Sequence, residues 1–147
     1  MRRFVAKALE QIASSAETGI WDAHRGCALI AGALLVDDGL IDDEAKALAR
    51  RLLDGISGAF PKVSRKASAG STLLSREHFL ANLVSELAPN ARSPKEIGHD
   101  IIYSAYVMKA LDRFDITPWE SLRDQVMLLI RKIKASGPGW ITINGEK

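Results

Sequence analysis

Apolar side chains recur every three or four positions along most of this chain, the spacing of helices that each bury one face. Residues 3–13 place Val5, Ala8, Leu9 and Ile12 on one side. Residues 18–36 predict a second, more apolar helix studded with Ala23, Gly26, Ala28, Ala31, Gly32 and Ala33. Each mid-helix glycine costs about 1 kcal/mol in helix propensity, and close packing of a neighbour is the natural compensation. This helix is therefore expected at the centre. After the acidic turn DDGLIDD (37–43), Ile41, Ala45, Leu48, Leu52 and Ile56 mark the inward face of a third helix. Its acidic start and Arg50–Arg51 further along suit the helix dipole.

Ser75 reads as the N-cap of a fourth helix, with Leu80, Leu83, Val84 and Leu87 inward. Two later starts share one design, Ser93-Pro94-Lys95-Glu96 and Thr117-Pro118-Trp119-Glu120: a hydroxyl cap, proline at the first helical position, and a glutamate that reaches back. They predict helices over about 94–113 and 118–136. The latter turns Trp119, Leu122, Val126, Leu129, Ile130 and Ile133 inward and stops at Gly137-Pro138. Residues 58–74 form the one long irregular stretch. The tail, 138–147, has extended character, with a hairpin-type Asn144-Gly145 but no return strand after it.

The pattern thus predicts an all-α fold: residues 1–147 as a single compact bundle of five to six helices around a small-residue-rich central helix, with a short extended C-terminal tail. The balance of 47% apolar and 26% charged residues is that of a globular domain. The net charge of +2 is too even to imply nucleic-acid binding. The longest uncharged run, Gly26 to Val36, falls far short of the roughly 20 residues a membrane span requires. The N-terminus is a poor secretory signal. These features lead to an expectation of a cytoplasmic protein without membrane contact.

Chemistry is sparse. Cys27 is the only cysteine, so an intrachain disulfide is ruled out. Its place in an apolar helix suits packing better than nucleophilic attack. DDGLIDDEA resembles a calcium loop only at a glance. Aligning Gly39 and Ile41 on the loop's glycine and apolar positions puts Leu34, Val36 and Ala45 where carboxylates belong. The bases Lys62, Arg65, Lys66 and Arg76 have no aromatic residue among them, so base stacking is not indicated.

The histidines are His24, His78 and His99. None has the i,i+4 partner of a metal-binding helix, and the i,i+3 pair of His24 with Cys27 is weak alone, so no metal site and no cofactor are expected. On a helix His78 groups with Asn82, Ser85 and Glu86 and reads as solvated. His24 shares a face with Trp21, Ala28, Ala31 and Leu35, and His99 with Ile102, Tyr103 and Tyr106; both are expected to point inward. Gly98 would let another helix lie against His99.

The bland reading makes each a buried imidazole satisfied by a hydrogen bond. The functional one places His24, His99, Tyr103 and Tyr106 around a shared inter-helix pocket as catalytic groups. There Trp21, Asp22 and Asp100 bind ligand or orient the rings, and imidazole exchanges protons near neutral pH. By spacing, Asp22 suits Arg25 better than His24.

Two functions follow. The leading one is a non-enzymatic helical module for protein interaction or oligomerisation, its partner a protein or its own copy. The alternative is a small enzyme or enzyme subunit whose His/Tyr-lined pocket performs acid–base or metal-assisted chemistry on a small molecule. Nucleic-acid binding through the basic loop is a distant third.

Overall fold

A computed structural model describes residues 1–60, 72–90 and 98–134, and these form an all-α bundle. The helices in chain order are α1 (Arg2–Thr18), α2 (Ala23–Asp37), α3 (Asp43–Gly58), α4 (Arg76–Leu87), α5 (His99–Arg113) and α6 (Glu120–Lys132). The tail, the Ser93-Pro94 cap, the Gly137-Pro138 stop and most of the basic loop lie outside the described residues.

The centre is a helix pair. α1 and α2 pack along each other; α6 covers α1, α3 and α5 flank α2, and α4 closes against α5 and α6. The glycines of α2 make this possible. A Cβ at Gly26 would lie 2.5 Å from Ile12 Cγ1 and 2.8 Å from the Ala8 carbonyl oxygen. A Cβ at Gly32 would lie 2.7 Å from Leu53 Cδ2 on α3. Close crossings thus compensate two poor helix formers, as the sequence pattern implied.

The helix predicted over 18–36 is shorter at its start. Gly19, at φ 141°, ends α1, and a single 3-10 turn, Ile20–Asp22, precedes α2. Such a φ is costly for any residue with a Cβ. Ser75 caps α4 as the sequence suggests, accepting from the His78 N–H at 3.1 Å, and Asp42 caps α3, accepting from the Ala45 N–H at 2.8 Å.

The Thr117-Pro118 signal works differently from its prediction. α6 begins at Glu120 with Trp119 as its N-cap and no side-chain cap. The preceding residues instead pair with 72–74: Leu74 N–H donates to the Pro118 carbonyl and Glu120 N–H to that of Thr72, both at 2.9 Å. This isolated bridge, Leu73 to Trp119, ties the entry of α4 to the entry of α6.

The inward faces of α1 and α6 match their stripes, with Val5, Ala8, Leu9, Ile12, Leu122, Val126, Leu129, Ile130 and Ile133 all buried and Trp119 half-buried. Two other faces are corrected. On α4, Phe79 and Leu83 are buried, Leu87 is half-buried, and Leu80 and Val84 are exposed. On α3, Leu53 and Ser57 face the core, while Leu48, Leu52 and Ile56 are 50%, 58% and 36% exposed. The reason is the notch at Gly32. It admits Leu53, so α3 is turned by one residue position, about 100°, from the orientation its stripe favours.

Candidate functional site

The start of α2 packs beside the start of α5, and four of the candidate side chains meet there. Gly98, at φ 87°, supplies the N-cap of α5, and a Cβ there would meet nothing within 4 Å. The glycine thus serves a left-handed turn rather than the close helix approach expected of it. His99 is the first helical residue, and Tyr103 lies one turn on along the same face.

Opposite them stand Trp21, in the 3-10 turn, and His24, in the first turn of α2. The face of α2 bearing His24, expected to turn inward, instead turns outward: Trp21 is 59% exposed, and His24, Ala28 and Leu35 are exposed too. The buried side of α2 is taken by Ala23, Cys27, Ile30 and Leu34. Cys27 is packed there as expected, and burial pushes its thiol up to about 12, so it remains a neutral thiol.

The imidazoles touch. His24 Nε2 and His99 Nε2 are 3.0 Å apart. His24 Nδ1 lies 3.0 Å from the Trp21 carbonyl oxygen and 3.1 Å from the Tyr103 hydroxyl. A carbonyl only accepts, so Nδ1 carries the proton of the neutral His24 ring, with the Tyr103 oxygen as a second acceptor. Nε2 is then the bare nitrogen, and it accepts from the Nε2–H of His99. The network assigns this tautomer. Trp21 stacks on His24, with ring centroids 5.4 Å apart and planes at 10°, and meets His99 edge-on at 5.1 Å. His99 is half-buried and Tyr103 fully buried, so the cluster grades from a wet aromatic lid to a dry phenol.

The remaining candidates lie apart. Tyr106 is half-buried and makes no ring contact with the cluster. Asp22 faces Arg25 at 4.0 Å, the partner its spacing favoured. Asp100 points away from solvent entirely, at 0% exposure, and among the described residues neither carboxyl oxygen has a hydrogen-bond partner. It therefore orients neither ring. His78 is exposed, as its helical neighbours implied. On the far side of Trp21 an open cleft of about 470 Å³ runs between the end of α1 and the end of α6, lined by Ser15, Thr18, Gly19, Lys132 and Lys134. The lysines of this cleft carried no signal in the sequence, since only packing of α6 on α1 brings them to Trp21.

No protein-family model matches the chain, and neither a curated protein nor a solved structure matches it. Among the described residues, no helix is long and apolar enough to cross a membrane.

Proposed function

We propose that the bundle is a non-enzymatic helical module that self-associates, docking a second copy of itself along α3. The observation that carries this reading is the outward stripe of α3. Ala45, Leu48, Leu52 and Ile56 follow one another at spacings of three and four along α3, the seam of a paired helix, and Leu48 and Leu52 are at least half exposed. Leu35 on α2 and Leu40 just after it are exposed as well. Exposed apolar side chains gathered on one face mark interaction sites.

Charge favours a second copy as the occupant. Glu44 and Arg51 lie seven residues apart beside the seam, both exposed, and neither makes an ion pair among the described residues. In an antiparallel pair of α3 helices, Glu44 of one copy lies beside Arg51 of the other. Two-fold symmetry repeats the contact. Sedimentation at rising concentration tests this. The 16.0 kDa chain is expected to approach twice its mass, and Leu48→Glu with Leu52→Glu to stay monomeric. Glu44→Lys weakens association, and adding Arg51→Glu restores it. A wild-type chain that stays monomeric at all concentrations overturns the reading.

A second reading, a small enzyme or enzyme subunit with acid–base or metal-assisted chemistry at His24, His99 and Tyr103, is favoured by the 3.0 Å approach of the two imidazoles.

A further inference from the structure

The geometry points to His24 and His99 as the two protein ligands of a divalent first-row transition-metal ion of the zinc or nickel type. The proposal shares its residues with the second reading above but requires neither catalysis nor self-association. Two observations carry it. The first is spacing. Metal–imidazole bonds of about 2.0–2.1 Å, opened between a right angle and a tetrahedral angle, separate the two nitrogens by about 2.9–3.4 Å. His24 Nε2 and His99 Nε2 already stand 3.0 Å apart. An ion replaces the shared hydrogen bond between them, and His99 then carries its proton on Nδ1.

The second is orientation. A metal-bound histidine characteristically donates its far ring N–H to a carbonyl, which fixes the tautomer and aims the near nitrogen. His24 Nδ1 has that partner in the Trp21 carbonyl oxygen at 3.0 Å, with Tyr103 behind it at 3.1 Å. The stack of Trp21 on the ring holds its plane.

Among the described residues no group of three or more His, Cys, Asp or Glu surrounds a common point, so water completes the coordination and the ion exchanges readily. Neutral imidazole is a ligand suited to zinc, copper and nickel, and not to calcium or magnesium.

Calorimetric titration of the full chain with zinc chloride, and separately with nickel chloride, tests the site. One ion per chain is expected to bind. His24→Gln and His99→Gln are each expected to weaken binding at least as much as loss of an outer-shell partner does, about tenfold or more. His78→Gln leaves it unchanged. Nickel broadening of histidine proton resonances in the unsubstituted chain reads the same site without depending on how the variants fold: the His24 and His99 signals broaden first, and that of His78 persists. No ion uptake, uptake that survives both His24→Gln and His99→Gln, or broadening led by His78 overturns the proposal.

Discussion

α6 and α3 carry the same kind of signal, a sharp apolar stripe on an otherwise charged helix, and they meet opposite fates. The stripe of α6 is sealed beneath α1 and α4, with Leu122, Val126, Leu129, Ile130 and Ile133 all buried. The stripe of α3 faces water, and Leu53 and Ser57 are the residues that helix buries, with Ala49 half-buried beside them. Periodicity therefore identifies a helix and its apolar side. Whether the rest of the same chain covers that side depends on the shape of the neighbour. For α3 the neighbour is a glycine notch, which selects one leucine and leaves the next outside.

The sharpest contrast is expected from truncation on the sealed side. Leu129 has no exposed surface and sits where α6 meets the core. Leu129→Ala removes that packing and leaves a cavity the surroundings fill only in part. Urea unfolding is expected to show a loss of about 2–5 kcal/mol. A loss below about 1 kcal/mol would mean that α6 is not the sealed element of the pair.

The two glycine notches of α2 grade the comparison further. Gly26→Ala drives a methyl against the Ala8 carbonyl oxygen, which is backbone and yields only if α1 moves. The expected cost is about 1–3 kcal/mol. Gly32→Ala meets the Leu53 Cδ2 methyl, the end of a flexible side chain on α3. There the gain in helix propensity of about 1 kcal/mol offsets much of the clash, so the second change is expected to be the milder in thermal unfolding. Equal losses would show that α3 is held as tightly as α1.

These particulars also mark how far the sequence alone could be read. The helices, the α1 and α6 faces and the Ser75 cap follow from local spacing, because each depends on residues within a turn or two. The orientation of α3 does not, since it rests on Leu53 meeting Gly32 across the fold. The Thr117-Pro118 motif was misread for a similar reason: its backbone groups pair with 72–74, a partner no helix-start rule considers. At the candidate site, Trp21, His24, His99 and Tyr103 were singled out from their types and faces. Local spacing does not decide whether His24 and His99 share the pocket of the functional reading, because the two lie on helices joined by long intervening chain; they meet at 3.0 Å. Spacing rules for metal sites search along one helix, and this pair is made by two.

The smallest effect in the series is also the most telling. Leu52→Ala, on the exposed stripe, removes a side chain that is 58% exposed and already mostly in water. In dilute solution it is expected to change unfolding free energy by no more than about 0.5 kcal/mol, against the several lost at Leu129. Self-association alters this at high concentration. A second copy that binds only the folded chain raises its apparent stability by mass action. The melting temperature of the wild-type chain is therefore expected to climb with protein concentration, and that of Leu52→Ala to climb less or not at all. Melting curves over a hundredfold concentration range measure both. Parallel behaviour of the two proteins would make the stripe an ordinary wet surface, and the contrast between α3 and α6 would then be one of burial alone.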